Sequence, residues 1–322
     1  MVHVGSCVQL TYSHAVTISR TTRATTLNIE PLTPLIGAEL NGLDLASVDD
    51  TQLHKIHAAL MQHLVVFFRD QDISPSQQAE FARRFGRTRT AQKASFEIRD
   101  DVPEMSVLIN DEARPPNVNH YHADGIFRRS PEFGAMLYAV EVPPVGGDTI
   151  FVNMQAAYEG LSDELRHYVD NKLANNDFMK LHGSPAKARS WRGDSAAGME
   201  AARRENPPVK HPMVRVHPVT GKRSLWLSES FTTHIVGVSS TESYGVLETL
   251  FRHCSKPEYQ CRFKWRKGSM AFWDNRGTMH YAVADYWPHR RLMHRITIET
   301  DRIGAPEVEG LGELKPMNMG NQ

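Results

Sequence analysis

Histidine and carboxylate residues with the spacing of metal ligands stand in the middle third of the chain. His122 and Asp124 are two residues apart in the segment NHYHADG. If this segment is a strand, the two side chains point to the same face and can bind one metal ion together. An iron(II) site of the facial-triad type needs one more histidine from a distant part of the fold, and it leaves its other face open for substrate and oxygen. Our candidate is His280, which closely follows a predicted strand that ends at Asp274.

A second pair of residues suits a dicarboxylate. Arg291 lies eleven positions after His280 and carries a guanidinium fork, while Thr149 carries a hydroxyl group. A guanidinium binds a carboxylate through two parallel hydrogen bonds, which is what an oxoacid co-substrate requires. The five residues together indicate an iron(II) enzyme that consumes an oxoacid.

Two other classes of protein stay open on these residues. Histidine and aspartate also bind zinc, so a zinc hydrolase is one alternative. A non-catalytic barrel that binds a small anion is the other. A His-x-Asp pair is weak evidence by itself in a chain with 16 histidines. Arg291 and Thr149 favour the oxygenase, because a hydrolase has no need of a dicarboxylate clamp.

The elements that must hold these residues are mostly strands. Short β-type runs broken by Pro and Gly predict a barrel or sandwich. They cover residues 64–68, 106–109, 136–142, 149–152, 224–227, 262–265, 270–273 and 295–298. Four helices are predicted: one opened by Asp49 and Asp50, one from Ser74 to Gly86, one over about 154–169, and one from a capping box at Ser239 to about His253. The predicted fold class is mainly β with flanking helices (α+β).

The domain organisation predicted from the sequence is simple. We expect one domain over residues 27–303, preceded by a flexible extension over 1–26 and followed by a tail over 304–322. A transit peptide is the alternative for the extension, because residues 1–29 contain no acidic residue. Residues 181–208 are polar and weakly periodic, which favours a mobile lid at the mouth of a site.

Composition excludes several classes of partner. Lys plus Arg (37) equals Asp plus Glu (37), so no bulk charge favours nucleic acid or an anionic membrane. The longest strongly apolar run, residues 64–68, is too short to span a bilayer. The three cysteines match neither a zinc motif nor a disulfide framework. We therefore expect a cytoplasmic protein with no nucleic-acid partner and no membrane partner.

Several sequence blocks occur together in a recognisable order. They are PLIGAEL from Pro34, HAD from His122, GGDT from Gly146, HPVTGK from His217, SFTT from Ser230, WDNR from Trp273, HYA from His280 and RRLMHR from Arg290. With these blocks the chain resembles the taurine dioxygenase and 2,4-dichlorophenoxyacetate dioxygenase family of iron(II)/2-oxoglutarate enzymes, from about residue 27 to about residue 301.

The resemblance implies a fold, a ligand set and a reaction. The fold is a double-stranded β-helix (jelly roll), and the metal ligands are His122, Asp124 and His280. Arg291 pairs with the far carboxylate of 2-oxoglutarate and Thr149 hydrogen-bonds it. Fe(II), 2-oxoglutarate and O2 are the implied cofactors, with succinate and CO2 as products. Asp124 as the carboxylate ligand favours hydroxylation over chlorination, and relatives commonly form homo-oligomers, either dimers or tetramers.

The same resemblance implies a small anionic organic substrate. Arg295 stands where taurine-specific members place the sulfonate-binding arginine, and Phe231 matches a pocket aromatic residue. Val118 and His182 also fall at pocket positions, but their residue types differ from those of the taurine enzymes. A taurine-contacting histidine has no counterpart after Arg84-Phe-Gly. These differences favour a sulfonate other than taurine, an alkyl sulfate or a carboxylate, whose hydroxylated product can collapse to an aldehyde. Desaturation or oxidative decarboxylation of a different small molecule is the alternative with the same cofactors.

Other notable side chains are predicted to be structural. The basic residues Arg83, Arg84, Arg87 and Arg89 are typical of a solvated face, and the alternative is that they guide an anion to the site. Trp265 and Trp273 are expected in the core, and His120, Tyr121 and His294 are expected to pack or hydrogen-bond. Arg290 alternates with Arg291 on a strand and so should point away from the site.

Overall fold

The computed structural model describes residues 27–91, 97–182 and 196–305, and for residues 182 and 196–199 it describes the backbone only. The predicted extension over 1–26, residues 183–195 of the predicted lid and residues 306–322 of the predicted tail lie outside this range. Within it, no helix is long and apolar enough to cross a membrane.

The described residues form a sheet-rich α+β structure, in agreement with the predicted class. The strands are β1 Asn28–Pro31, β2 Ala38–Asn41, β3 Val65–Phe68, β4 Glu97–Arg99, β5 Val102–Asn110, β6 Gly134–Glu141, β7 Thr149–Asn153, β8 Leu173–Asn176, β9 Val209–Pro212, β10 Val214–Val216, β11 Arg223–Leu225, β12 Thr232–Ile235, β13 Gln260–Phe263, β14 Met270–Asp274, β15 Thr278–Ala282 and β16 Arg291–Ile298. The helices are α1 Asp50–His63, α2 Pro75–Phe85, α3 Met154–Glu159, α4 Asp163–Asp170, α5 Phe178–His182, α6 Ala196–Glu205 and α7 Ser240–Cys254, with a 3-10 turn at Pro257–Tyr259.

An eight-stranded mixed sheet is the centre of the fold. Its strand order is β1-β2-β3-β14-β6-β16-β5-β4, and the described residues also form two three-stranded sheets, β13-β7-β15 and β12-β8-β9, and the pair β10-β11. Alternation along β14 shows how the large sheet is covered, since Phe272 packs with α1 and α2 on one face and Trp273 packs toward β13-β7-β15 on the other. The stacked rings of Phe67 and Phe263, with centroids 3.9 Å apart, join the two sheets. Side chains between these sheets are therefore shielded from water.

The helices begin and end where local sequence signals predict. Asp49 accepts a hydrogen bond from the backbone N–H of Gln52 and starts α1, and Ser74 does the same with Gln77 for α2. The buried faces of α1 and α2 carry Leu53, Ile56 and Leu60, and Phe81 and Phe85. The two helices cover the outer face of the large sheet.

Two helix predictions are wrong in detail. The segment 154–169 is not one helix: α3 ends at Gly160, and Ser162 caps a new helix, α4. Ser239 does cap α7 by accepting from the Glu242 N–H, but the Glu242 side chain bonds the Tyr168 hydroxyl at 2.6 Å instead of returning to Ser239. In both cases a local signal is real, and tertiary contacts decide how far it extends.

Candidate active site

Three potential metal ligands meet between the sheets. His122, Asp124 and His280 are all buried, and one ligand atom of each lies within 4.8 Å of the other two. The Nε2 atoms of His122 and His280 are 3.8 Å and 3.9 Å from the two carboxylate oxygens of Asp124. This spacing fits three ligands on one face of a single ion.

The backbone holds the two histidines opposite each other. Each donates its N–H to the carbonyl of the other, at 2.9 Å from His122 and 2.8 Å from His280, as an isolated antiparallel bridge. His280 lies on β15, directly opposite Phe151 of β7. The Nδ1 atom of His122 lies 3.1 Å from the His120 carbonyl, which favours the tautomer with an Nε2 lone pair facing Asp124.

Asp124 does not lie on a strand, contrary to our premise for the pair. Only His122 forms a bridge, and Asp124 opens a turn that continues through Gly125, whose φ is +63°. A Cβ on Gly125 would overlap the carboxylate of Glu132. The prediction that His122 and Asp124 meet at one point is therefore confirmed, but a tight glycine turn, and not strand alternation, brings them together.

The charge states of the three residues suit metal binding. Burial opposes ionisation of Asp124, but the charges of Arg295, His280 and His122 outweigh it and lower the pKa of Asp124 to about 2. Burial lowers the pKa of His280 to about 3 and also lowers the pKa of His122. At neutral pH the site holds one carboxylate and two neutral imidazoles, which are the forms that coordinate a divalent ion.

The residues predicted to hold an oxoacid lie on facing strands. Arg291 begins β16 and Thr149 begins β7, and both are buried. Within the described residues, Nε and Nη2 of Arg291 have no hydrogen-bond partner. Thr149 Oγ1 accepts from the Trp265 indole N–H at 3.0 Å, so the Thr149 hydroxyl proton remains available to an acceptor. A buried guanidinium with open donors fits a dicarboxylate co-substrate, because an unpaired buried charge is costly.

A cavity of about 180 Å³ opens beside the metal ligands. His122, Asp124 and three of the predicted substrate residues line it: Val118, Phe231 and Arg295. The side chain of His182, the fourth, lies outside the described residues. Arg295 Nη2 is 2.8 Å from Asp124 Oδ2, in an ion pair whose angles do not make a hydrogen bond. Arg295, the predicted anion-binding residue, thus lies in the cavity. It already has a carboxylate partner there, Asp124.

Several side chains expected to be structural do contact the site. Trp265 and Trp273 are buried in the core as predicted, but Trp265 also bonds Thr149, and the Trp273 ring lies 5.1 Å from that of His280. Arg89 lines the cavity, so the prediction of a solvated face is wrong for this member of the basic cluster. Arg290 does point outward and pairs with Glu141.

Sequence reasoning missed Phe127, Arg128, Glu132 and Phe178 as cavity residues. A usable signal was present for two of them, because Arg128 and Glu132 have the i,i+4 spacing of an ion pair directly after Asp124-Gly125. The aromatic residues gave no such signal, since an isolated Phe is normally a core residue.

Several known proteins are similar to this chain over most of its length. The chain is 32% identical over 280 residues to the alpha-ketoglutarate-dependent sulfate ester dioxygenase of Pseudomonas putida, covering 84% of this chain and 89% of that protein. It is 30% identical over 289 residues to the alpha-ketoglutarate-dependent 2,4-dichlorophenoxyacetate dioxygenase of Cupriavidus pinatubonensis, covering 85% and 98%. The crystal structure of a taurine dioxygenase from Burkholderia xenovorans superposes with a TM-score of 0.72 at 35% identity, over 84% of this chain and 89% of that one.

These relatives and the buried triad identify the class of enzyme. The chain is a 2-oxoglutarate-dependent dioxygenase, and its cofactors are Fe(II), 2-oxoglutarate (alpha-ketoglutarate) and O2. The model of the taurine catabolism dioxygenase TauD, TfdA family matches residues 28–297, nearly all of the described chain, and the protein belongs to that family.

Proposed function

We propose that this enzyme hydroxylates a small anionic organic molecule, a sulfate ester, a sulfonate or an aryloxy carboxylate, while 2-oxoglutarate and O2 become succinate and CO2. The observation that carries the proposal is a cationic side chain, Arg295, in the same small cavity as His122 and Asp124. Relatives named for sulfate esters, sulfonates and phenoxyalkanoates act on anions of this kind.

Each residue has a distinct role in this proposal. His122, Asp124 and His280 hold Fe(II) on one face. Bound Fe(II), with 2-oxoglutarate and O2, supplies the oxidising power needed to hydroxylate an unactivated C–H bond. Arg291 pairs with the far carboxylate of 2-oxoglutarate, and the Thr149 hydroxyl donates a hydrogen bond to it.

The side chains of the cavity wall orient the substrate. Arg295 binds the anionic group, and the rings of Phe127 and Phe231, whose centroids are 4.7 Å apart, exclude water from the apolar part. Holding the anion at one point places the adjacent carbon at a fixed distance from the triad. If that carbon bears a sulfate ester, its hydroxylated product releases sulfate and leaves an aldehyde.

Four broader expectations belong to the same proposal. We expect the facing sheets to form a double-stranded β-helix. We also expect residues 27–303 to form one domain, with a lid around residues 181–208. A cytoplasmic location suits Cys254 and Cys261, which are both buried free thiols. A homodimer or homotetramer is the expected assembly.

The test is a spectrum of anaerobic protein. Fe(II) and 2-oxoglutarate should together produce a weak visible charge-transfer band, and one member of a panel of alkyl sulfates, sulfonates and aryloxy acids should shift it. His122→Ala should abolish the band, whereas His234→Ala, at an exposed position of β12, should keep it. Folded wild-type protein that shows no band would refute the residue assignment, and a band that no panel member shifts would refute the substrate class.

A further inference from the structure

The cavity is lined by a second group of charged side chains besides Arg295 and Asp124. Arg89 and Arg128 converge on one oxygen of Glu132, with their Nε atoms at 3.3 Å and 3.2 Å from Oε1. All three residues line the cavity. We call Arg89 and Arg128 the distal arginine pair. Together with Glu132, the pair lies directly behind the turn that carries Asp124.

Positive charge exceeds negative charge at this end of the cavity. Arg89 also pairs with Glu299 at 2.9 Å, and Glu299 in turn pairs with Arg87 at 2.8 Å. The carboxylate of Glu299 is therefore divided between Arg89 and Arg87, and within the group that lines the cavity two guanidinium groups face the one carboxylate of Glu132. The other acidic residue of this wall, Glu104, is paired with Arg83.

One N–H donor of each arginine in the pair is left unused within the described residues. The Nε atoms of Arg89 and Arg128 are buried, and their contacts with Glu132 lack hydrogen-bond geometry, so neither atom has a hydrogen-bond partner within the described part of the chain. The side chains are only 26% and 19% exposed. Buried donors with excess positive charge favour an anionic ligand, because such a ligand satisfies both at once.

Strand geometry relates the pair to Arg295. Arg295 and Thr297 point to the same face of β16, two residues or about 7 Å apart. The Arg89 N–H donates to the Thr297 carbonyl at 3.0 Å, and Thr297 also lines the cavity. Arg89 thus enters the cavity beside Thr297. This point lies two residues beyond Arg295 along β16, on the side away from Arg291.

We propose that the distal arginine pair is a second anion subsite, which binds the far end of the substrate. The preferred substrate is then a small molecule with an anionic group at each end, such as a sulfate ester that carries a carboxylate a few carbons away. This inference rests on the proposed function, because it assigns the first anionic group to Arg295.

Two matched probes test the subsite: butyl sulfate, which has one anionic group, and 4-sulfooxybutanoate, which has the same length and two. Their dissociation constants are measured by calorimetry on anaerobic protein loaded with Fe(II) and 2-oxoglutarate, and no turnover is needed. We expect wild-type protein to bind the dianion about 10- to 100-fold more tightly, as for one set of charge-assisted hydrogen bonds.

Variants of the pair should remove this preference selectively. Arg128→Gln should make the two dissociation constants similar by weakening only the dianion, and Arg128→Lys should retain part of the preference because it keeps the charge without the fork. Arg87→Gln is the matched control, since Arg87 pairs with the same Glu299 but does not line the cavity, and it should leave the preference unchanged. Thermal unfolding confirms that each variant is folded, and Arg89→Gln replaces Arg128→Gln if that variant is not.

The outcomes separate the two proposals. If both probes bind wild-type protein equally, or if folded Arg128→Gln and Arg89→Gln keep the preference, the distal subsite is refuted while the role of Arg295 stands. If neither probe binds protein that shows the 2-oxoglutarate band, the proposed class of substrate is refuted. The distal subsite is then refuted as well, because it depends on that class.

Discussion

Arg295 contacts Asp124, a proposed metal ligand, and also lines the cavity proposed to bind the substrate, so one side chain is placed to serve two purposes. In the structure it pairs with Asp124 at 2.8 Å and contributes to the low pKa of that carboxyl group. A metal ion would take over the neutralisation of Asp124 and leave the guanidinium to a substrate anion.

This dual position leads to a prediction for the side chain. Arg295→Ala should raise KM for the anionic substrate roughly 10- to 100-fold, because a charge-assisted hydrogen bond contributes about 1.5–3 kcal/mol. Fe(II) binding should persist, since the three ligands remain. Arg290→Ala, at an exposed position just before the same strand, is the control and should behave as wild type in steady-state kinetics. An unchanged KM in Arg295→Ala would remove the residue from the pocket.

At this scale the sequence identified the residues with recognisable motifs and missed those defined only by packing. His122, Asp124 and His280 could be found because ligand chemistry restricts residue type and because the blocks around them occur in order. The contact between Arg89 and Glu132 could not, since it joins residues 43 positions apart through the approach of two loops to β16. No local pattern encodes such a contact.

At the scale of elements, the turn that follows His122 is sensitive to substitution at Gly125. Gly125 has a φ of +63°, and any Cβ there would overlap Glu132, so the residue must be glycine on two counts. Gly125→Ala should therefore displace Asp124 and lower Fe(II) affinity by at least tenfold, as measured by metal titration. Gly221→Ala is a matched control: its φ is +69° but nothing lies within 4 Å of the new Cβ. Equal metal affinity in the two variants would show that the turn tolerates a side chain.

Helix ends were predictable from the sequence, whereas strand partners were not. Ser74 and Pro75 stand at the start of α2 and Gly86 at its end, so α2 could be placed from its own segment. The strand β14 pairs with β3 and β6, which lie more than a hundred residues earlier in the chain, and alternating hydrophobicity does not specify which strand will be the neighbour.

For the whole molecule, a buried chain of charges joins distant segments. His57 of α1 bonds Asp301 at 2.9 Å, and Arg276 bonds both Asp301, at 2.9 Å, and Asp274. His217 also bonds Asp274, at 3.0 Å. These contacts tie α1, the end of β14 and the last described residues into one unit.

The charge chain predicts how stability depends on pH. Burial opposes ionisation of Asp274 and Asp301, yet Arg276 and the histidines outweigh it and lower the pKa of both carboxyl groups below the usual range. Their contribution is present above the ordinary carboxyl pKa near 4 and is lost as the pH falls below it. The free energy of unfolding, measured by urea titration, should therefore decline steeply below about pH 4.

Asp301→Asn tests this account. It should cost about 3–5 kcal/mol at pH 7, because it breaks a buried ion pair on one side, and it should flatten the acid decline. Asp163→Asn, at an exposed pair with Arg166, should cost less than about 1 kcal/mol. An acid profile of Asp301→Asn parallel to that of the wild type would contradict the assignment.

The backbone bridge between His122 and His280 also bears on how the enzyme matures. The two residues are 280 − 122 = 158 positions apart, and closing a loop of that length costs roughly 4–5 kcal/mol of chain entropy. Neither ligand can find the other until β7 and β15 have paired and the turn at Gly125 has formed. Because the three residues come together only in the folded chain, Fe(II) should bind the folded state in preference to the unfolded one and so raise the free energy of unfolding.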